Sequence, residues 1–393
     1  MKGRVFDGTN LLNDATVIVD TQRGIISGFG ERGSLEVPPD SKLIEAKDST
    51  ILPGLVDAHV HFFGSLGEGM MDWATTPDAL AALRSVRDLG LLLNAGFTSV
   101  RELGTKAGTH LSRAAAEGAF PSPRIISCSR ALAQTGGDDD PSSLPIDVAQ
   151  KLASYTYFCD GPWECRKAVR KVVRDGGNVI KIYASGGFAQ GGKVRLQFSK
   201  EEIIAITDEA HRSGLKVATH AYGEEALTNA IEGGADSIEH GLGLTTMTAQ
   251  AIKERGLYYI PTLVTYLKSK AEGNSARGEM VKKHLKEDME IAREFGLKVV
   301  MGSDIVGDAT RPHGRNYEEL VAEAKFLGNR EALIGATSRA AECLDLQNSG
   351  RIVQNYEADL IVVKGNPLEN IEALAPQNIN VVVKSGRLVR HEM

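Results

Sequence analysis

The stretch Ile51-Leu52-Pro53-Gly54-Leu55-Val56-Asp57-Ala58-His59-Val60-His61 joins a short apolar run to two histidines. Such a run is typical of a buried strand. Residues two apart on an extended chain point to the same side, so His59 and His61 are predicted to direct two imidazoles at one point. A pair of this kind is by itself only a weak indication of a metal site.

The pattern that begins here continues through the middle of the chain. Short apolar runs recur at residues 98–100, 124–127, 178–183, 216–220, 237–240, 258–261 and 298–301. Stretches with helical period lie between most of them, at residues 76–95, 164–175, 200–213, 223–233, 246–256 and 279–296. This alternation predicts an α/β fold, a (β/α)₈ barrel, although a doubly wound sheet has the same alternation.

Most of these helices end on a glycine, which predicts a left-handed C-terminal cap. The glycines are Gly96, Gly176, Gly214, Gly233, Gly256 and Gly296.

The polar residues at the ends of the apolar runs distinguish the two folds. Lys181 lies within the fourth run, His220 and His240 end the next two, and Asp304 follows the last. A closed barrel brings the carboxyl ends of its strands to one mouth, whereas an open sheet spreads them along an edge. Groups able to bind metal on five strands, in a chain with nine histidines, therefore favour a barrel with a metal site at its mouth.

The residue types explain what such a site would do. Zn²⁺ takes neutral imidazole and carboxylate ligands readily. His59 and His61 with Asp304 and a bridging group would hold one metal, and His220 and His240 with the same bridge would hold a second. Two metals lower the pKa of a shared water, which gives a hydroxide at neutral pH. Asp304 is predicted to bind metal and also to accept the proton.

Both ends of the chain are rich in β-forming residues. The predicted strands lie at residues 15–20, 24–30, 358–363 and 380–389, the last as a hairpin with a Ser-Gly turn. We therefore predict a small composite β-sandwich domain from residues 1–52 and 349–393. Residues 53–348 are predicted to form the catalytic barrel.

Composition limits the possible partners. A chain of 393 residues fits one barrel of ~250 residues and a smaller unit. The net charge of −6 argues against nucleic acid, which needs a basic face. No run reaches the ~18 apolar residues of a membrane span, and no secretory signal precedes the first strands. The four cysteines show no metal-binding spacing, so we expect reduced thiols in a cytoplasmic protein.

The ligand positions resemble those of the amidohydrolase superfamily, in its binuclear metal branch. The resemblance rests on His59-Val60-His61 after residues 53–57, followed in order by Lys181, His220, His240 and Asp304. It covers nearly the full chain and implies two divalent metal ions, with Zn²⁺ as the expected metal. It also implies that CO₂ carboxylates Lys181 to a carbamate that bridges them. Burial lowers the pKa of a lysine, and the neutral amine can react with CO₂.

Further segments are similar to prolidase-like dipeptidases, imidazolonepropionase-like proteins and ochratoxin-type amidases. They lie at residues 96–104, 220–223, 238–241, 313–314, 318–320, 350–352 and 357–362. The similarity implies a hydrolase that cleaves an amide or peptide-like C–N bond in a small-molecule substrate, a dipeptide or an N-acyl amino acid. The implied reaction uses a metal-bridging hydroxide, with Asp304 as general base and then general acid.

Three residues are candidates for contact with the substrate. Tyr222 lies two residues beyond a candidate ligand, where relatives have a tyrosine that touches the substrate. His313 lies on the loop after the last strand. Asp138 stands in Thr135-Gly136-Gly137-Asp138-Asp139-Asp140, where relatives have Thr-Gly-Gly-His. This departure makes the pocket more negative, which puts in question a substrate with a free carboxylate, although the acidic residues can equally form a solvated loop.

Two other functions remain open. A mononuclear deaminase or a cyclic-amide hydrolase of the imidazolonepropionase type would keep the first two histidines and the aspartate. It would use a glutamate near His220 as proton carrier; Glu224 is the nearest, one residue beyond the usual spacing, and Lys181 would have no purpose. A barrel protein without catalysis is the third possibility, although such proteins typically lack the metal ligands. We expect a homo-oligomer, as for many barrels of this kind.

Overall fold

The computed structural model describes residues 1–67, 69–186, 194–267 and 276–392. Its strands are β1 (Lys2–Phe6), β2 (Leu11–Asp20), β3 (Ile25–Glu31), β4 (Glu45–Pro53), β5 (Leu55–Val60), β6 (Phe97–Glu102), β7 (Arg124–Ser127), β8 (Ala131–Ala133), β9 (Thr156–Phe158), β10 (Val179–Tyr183), β11 (Lys216–Ala221), β12 (Ser237–His240), β13 (Tyr258–Ile260), β14 (Lys298–Val299), β15 (Leu360–Lys364), β16 (Ile379–Lys384) and β17 (Arg387–His391).

Its helices are α1 (Met70–Thr75), α2 (Asp78–Asn94), α3 (Gly108–Ala116), α4 (Ile146–Leu152), α5 (Gly161–Arg174), α6 (Lys200–Arg212), α7 (Glu224–Glu232), α8 (Thr246–Arg255), α9 (Leu263–Leu267), α10 (Ala276–Phe295), α11 (Tyr317–Leu327), α12 (Asn329–Gly335) and α13 (Ser338–Cys343). Two 3₁₀ helices, Ile371–Leu374 and Pro376–Asn378, precede β16. Within the described ranges, no helix combines the length and the apolar character needed to cross a membrane. The four cysteines are buried free thiols.

A sheet of seven strands unites the two ends of the chain, in the order β17-β16-β15-β4-β1-β2-β3. The central strand β4 pairs with β15 on one side and with β1 on the other, so that Ile51 lies opposite both Val362 and Val5. One face of the sheet has its own core around these three residues. The other face packs Phe6 and Leu52 against the barrel. The two chain ends therefore form one β-domain.

The predicted hairpin near the C-terminus connects β16 and β17. Ser385 and Gly386 form its turn, with φ angles of 48° and 75°. A two-residue hairpin of this kind requires positive φ at both positions.

The middle of the chain forms the predicted (β/α)₈ barrel. Its eight strands are β5, β6, β7, β10, β11, β12, β13 and β14, and the short strands β8 and β9 add to the edge beside β10. Backbone hydrogen bonds join the two sheets: Asn178 N donates to the Ser127 carbonyl at 2.7 Å, and Asp304 N donates to the His59 carbonyl at 2.7 Å. The second bond closes the barrel between its last and first strands.

The first apolar run of the sequence is divided between the two domains. Residues 51–53 belong to β4 of the terminal sheet, and the first barrel strand begins only at Leu55. Gly54 separates them, where an added Cβ would lie 2.2 Å from Thr98 Oγ1 on β6. What reads as one apolar run in the sequence is therefore the end of one strand and the beginning of the next. Because the run is apolar throughout, the sequence does not show at which residue the chain passes from one sheet to the next.

The glycines after the helices adopt positive φ at five of the six predicted positions. The exception is Gly233, whose φ is −71°; the left-handed residue there is Gly234, with φ of 93°. Gly233 is instead required by close packing, because an added Cβ would lie 2.3 Å from Ile203 Cγ2 on α6. The helix therefore packs closely at the position where we predicted a cap.

Candidate metal centre

The centre begins where the first and last barrel strands meet. Asp304 Oδ1 lies 3.4 Å from His59 Nε2 and 3.3 Å from His61 Nε2. One atom able to bind metal from each of these three residues lies within 4.8 Å of the other two. The backbone bond from Asp304 to the His59 carbonyl fixes the two strand ends side by side. This part of the cluster has the spacing of ligands around one cation.

The other three predicted residues reach the same cavity from β10, β11 and β12. The ring centroid of His240 lies 5.0 Å from that of His59 and 4.7 Å from that of His220. Lys181 is 1% exposed and lines the same cavity of about 290 Å³. The structure therefore brings all six candidate ligands together at the carboxyl ends of the strands.

Two of these residues have unusual backbone conformations. The φ angles of His240 and Asp304 are 66° and 51°, in the left-handed region that residues other than glycine rarely adopt. Such conformations persist where the surrounding structure enforces them, often at functional sites. Glu239 and His240 are neighbours that a regular strand would point to opposite sides. The turn at His240 ends this alternation, so both side chains reach the ring of His59.

Hydrogen bonds to the Nδ1 atoms orient the imidazoles. His59 Nδ1 lies 2.8 Å from Glu239 Oε2, His61 Nδ1 lies 3.2 Å from the Gly104 carbonyl, and His240 Nδ1 lies 2.7 Å from Thr262 Oγ1. The acceptor at His59 and the acceptor at His61 each hold the proton on Nδ1. Nε2 of each ring then carries the lone pair, as metal-binding histidines require.

Glu239 is itself held in place by buried partners. Its Oε1 accepts a hydrogen bond from Arg101 Nη2 at 2.7 Å and another from Ser237 Oγ at 2.6 Å. Arg101 also donates from Nε to the Ala58 carbonyl at 2.6 Å. Burial raises the pKa of Glu239, but the charge of Arg101 and the bond to His59 outweigh it and hold that pKa at about 2. Glu239 is therefore an ionised acceptor fixed beneath His59.

Burial and neighbouring charges shift the pKa values of the candidate ligands. Burial, with the nearby charge of Lys181, lowers the pKa of His59 to about 4 and that of His220 well below its usual value. Burial would raise the pKa of Asp304, but the charge of His59 and the hydrogen bond to His61 bring it well below its usual value. Burial also lowers the pKa of Lys181. His59 and His220 are therefore neutral beside an ionised Asp304. Burial lowers the pKa of His61 too, but its hydrogen bond and charge interaction with Asp304 outweigh burial and raise that pKa.

Among the six candidate ligands, one buried nitrogen atom lacks a hydrogen-bond partner in the described part of the chain. His220 Nε2 has no hydrogen-bond partner there. No carboxylate among the described residues forms an ion pair with Lys181, whose Nζ lies 5.3 Å from the centre of the Tyr183 ring. An unpaired group of this kind is costly to bury. Imidazole and carboxylate donors with an unsatisfied buried imidazole nitrogen fit a cation, so these residues suit a divalent metal such as Zn²⁺.

The walls of the cavity differ in chemistry. Phe63 and Trp73 stack with ring centroids 4.4 Å apart on one side. The Tyr222 and Tyr266 hydroxyls contact each other on another, and the Tyr222 ring lies 4.4 Å from that of His220. Two predicted substrate residues, Tyr222 and Asp138, thus line the cavity, and Asp139 and Arg311 line it as well.

The third predicted substrate residue, His313, does not line the cavity. It is 2% exposed, and its Nε2 donates to the His61 carbonyl at 2.9 Å while its ring packs on Phe62. The loop after β14 therefore folds His313 behind the His59–His61 segment. Glu224, the proton carrier of the alternative deaminase, is exposed at the start of α7 and is also outside the cavity lining.

Sequence reasoning missed Arg101, Glu239 and Arg311. A signal existed for the first two, because each is a charged residue directly after apolar residues of a barrel strand: Val100 and Ile238. Their pairing joins β6 to β12, and no local pattern shows a contact of that kind. Arg311 lies in a polar loop, where an arginine is ordinary.

The barrel, the site and the sequence together define a class of protein. The model of the amidohydrolase family matches residues 50–389, so the chain belongs to the amidohydrolase family. It is a hydrolase that acts on C–N bonds, and members of this family generally use divalent metal ions.

The chain is similar to several characterised relatives. It is 31% identical to ochratoxinase of Aspergillus niger over 421 residues, which covers 98% of this chain and 84% of that one. A prolidase crystallised with N-methylphosphonate-L-proline is 34% identical, with a TM-score of 0.87 and 100% coverage of both chains. A Xaa-Pro dipeptidase with bound methionine is 30% identical, with a TM-score of 0.86 and coverage of 99% and 98%.

Proposed function

We propose that this protein hydrolyses the amide bond of a dipeptide or an N-acyl amino acid at a centre of two Zn²⁺ ions bridged by carboxylated Lys181. The observation that carries the proposal is the convergence of the six candidate ligand side chains on one cavity, from four strands and the segments that follow β5 and β14. The similarity to a prolidase, a Xaa-Pro dipeptidase and ochratoxinase supports the choice of bond.

The chain divides the ligands into two groups. His59 and His61 would hold one ion with Asp304, and His220 and His240 would hold the other, with Lys181 between them. When bound, the ions would polarise the substrate carbonyl and lower the pKa of water. Lys181 suits carboxylation because burial favours its neutral amine and no described carboxylate pairs with it.

Asp304 serves as the proton carrier. Its carboxylate is ionised, since neighbouring imidazoles hold its pKa well below the usual range. It takes a proton from the attacking water and returns it to the nitrogen of the leaving amine. The water oxygen bonds to the carbonyl carbon and the C–N bond breaks, which yields a carboxylic acid and an amine.

Tyr222 is placed to hold the substrate. Its ring packs against His220, and its hydroxyl contacts that of Tyr266. Burial and the neighbouring Tyr222 raise the pKa of Tyr266 well above its usual value, so Tyr266 stays protonated. The pair therefore keeps a hydroxyl proton that it can donate in a hydrogen bond to a substrate oxygen.

The proposal is tested by metal analysis and a hydrolysis screen of zinc-loaded protein against dipeptides and N-acyl amino acids. We expect about two metal ions per chain and cleavage of at least one substrate class. Asp304→Asn should keep most of the metal while turnover falls by about a thousandfold or more, because the proton carrier is lost. Lys181→Ala should lose metal, and added acetate or propionate should restore part of it by replacing the carbamate.

Each part of the proposal has its own contrary result. One ion per chain would contradict the binuclear centre, and full metal content in Lys181→Ala without added carboxylate would contradict the bridge. A metal-replete protein that cleaves none of these amides would contradict the substrate class. His211→Ala is the control, since this exposed histidine pairs with Asp236 on the surface.

A further inference from the structure

The cavity carries acidic and basic side chains on different walls. Asp138 and Asp139 line it beside β10, where Asp139 Oδ2 accepts hydrogen bonds from Tyr183 OH at 2.9 Å and Thr156 Oγ1 at 2.6 Å. Arg311 lines it beside α9, which follows β13. In the order β13-β12-β11-β10 these walls are three strands apart in an eight-stranded barrel. The acidic wall and the arginine therefore lie at different parts of the mouth.

Hydrogen bonds connect Arg311 to the segment after β14 that carries Asp304. Its Nη1 donates to Thr265 Oγ1 at 3.2 Å, and Thr265 Oγ1 donates in turn to the Asp304 carbonyl at 3.1 Å. Two hydrogen bonds thus separate the guanidinium from the backbone of the proposed proton carrier. Arg311 therefore lies close to the segment that carries Asp304, the residue proposed to return a proton to the leaving amine.

Most of the hydrogen-bonding capacity of Arg311 remains free of described protein acceptors. A guanidinium has five N–H donors, and Thr265 takes one. Asp308 Oδ2 lies 3.5 Å from Nη2, longer than a charge-assisted hydrogen bond of about 2.7–2.9 Å. Asp308 Oδ1 instead accepts from Thr310 N and from Arg311 N, each at 2.8 Å. The side chain of Arg311 is 19% exposed, so its remaining donors are accessible to a ligand.

We propose that Arg311 selects substrates whose leaving amine carries a carboxylate, which it binds with its free N–H donors. This inference rests on the proposed function and adds the residue that binds the carboxylate of the leaving amine. The acidic wall supports the same orientation, because it repels a carboxylate that Arg311 attracts. On this proposal the cavity accepts a carboxylate on the Arg311 side, so Asp138 does not exclude such a substrate.

The test uses two substrates that differ only in this carboxylate, N-acetyl-L-leucine and N-isopentylacetamide. Wild-type protein should cleave the first with kcat/KM at least about tenfold higher. Arg311→Gln should raise KM for the carboxylate substrate about ten- to hundredfold, as expected for loss of a charge-assisted hydrogen bond. It should change the neutral substrate little, so the preference disappears. Arg311→Lys should restore part of it by keeping the charge.

Arg315→Gln is the matched control. It removes the same charge from the same loop, but Arg315 is exposed and pairs with Glu318 outside the cavity. Preserved metal content and thermal midpoint in Arg311→Gln would exclude a folding defect. If that variant does not fold, the wild-type preference and the behaviour of Arg311→Lys still decide.

Equal cleavage of both substrates by the wild type, or a preference that survives in Arg311→Gln, would overturn the inference. If neither these nor any other amides are cleaved, the proposed function fails separately. Calorimetric binding of L-leucine to wild type and to Arg311→Gln then decides the role of Arg311: affinity lower in the variant supports it, and equal affinity or no binding to the wild type refutes it.

Discussion

Glu239 precedes His240 in sequence, yet it acts on another candidate ligand, His59, at the opposite side of the ring from the metal cavity. A carboxylate that accepts the Nδ1 proton makes Nε2 a better donor and fixes the ring. Arg101 balances the charge that this requires, so a buried carboxylate is tolerated. The three residues form one network across β12, β5 and β6.

This network predicts that Glu239→Gln weakens metal binding. The amide nitrogen would face either the Arg101 and Ser237 donors or the Nδ1 proton of His59, so one donor loses its acceptor. Metal affinity should fall about 10- to 100-fold, as measured by competition with a chromophoric chelator. Glu232→Gln removes a comparable carboxylate that pairs with Lys200 at the surface and should leave the affinity unchanged. An unaltered affinity in Glu239→Gln would show that His59 needs no support.

The candidate ligands could be predicted from sequence because their positions follow from strand ends. His59, His220 and Asp304 each stand where an apolar run stops, and a barrel brings such positions together. The direction of a loop cannot be predicted in that way. His313 and Arg311 lie two residues apart on one loop, and only the folded chain shows that the histidine turns behind the site and the arginine toward it.

Among the structural elements, the junction of β4 and β5 is a closely packed point between the two domains. Gly54 N donates to the Asp359 carbonyl at 2.8 Å, and Thr98 of β6 fills the space where a side chain would stand. The chain therefore passes from the terminal sheet into the barrel without a linker. Only a residue without a Cβ fits there.

We predict that Gly54→Ala destabilises the protein by about 2 kcal/mol or more, because forced overpacking costs about 1–3 kcal/mol and Thr98 is held in a strand. Gly90→Ala is the matched control. Gly90 lies within α2 with no atom within 4 Å of an added Cβ, so alanine should stabilise by about 0.5–1 kcal/mol. Denaturant unfolding measures both. A Gly54→Ala variant as stable as the wild type would show that β6 can shift to make room for the added methyl group.

The alternation of strands and helices was predictable at this scale, and the boundaries were less so. Helical period located α2, α6 and α8 to within a few residues, because one face of each is buried. The passage from β4 to β5 was not visible, since both strands are apolar. The cap at Gly234 was assigned one residue early because both neighbouring positions are glycine.

For the molecule as a whole, the candidate metal centre connects strands that are distant in sequence. The candidate ligands come from β5, β10, β11, β12 and the segment after β14. Ions bound by all of them would therefore hold the barrel closed. Because the terminal sheet shares a core with the barrel through Phe6 and Leu52, we expect both domains to unfold together.

Metal removal should consequently lower the thermal midpoint of a single transition. A ligand present at a hundred times its Kd stabilises a fold by about 2.7 kcal/mol, and a chain of this length would shift by about 3 °C. Calorimetry with and without a chelator measures the shift. In a His59→Ala, His220→Ala double variant the chelator should have no effect. Two separate transitions would show that the domains unfold independently.

The pairing of β4 with β15 also affects how the protein is made. β4 ends at Pro53 and its neighbour β15 begins at Leu360. A ribosome releases the N-terminal strands first. The apolar side chains of Val5 and Ile51 therefore lack the neighbouring residues of β15 until translation is nearly finished. During that interval the nascent polypeptide exposes an aggregation-prone apolar surface, which we expect cellular chaperones to bind.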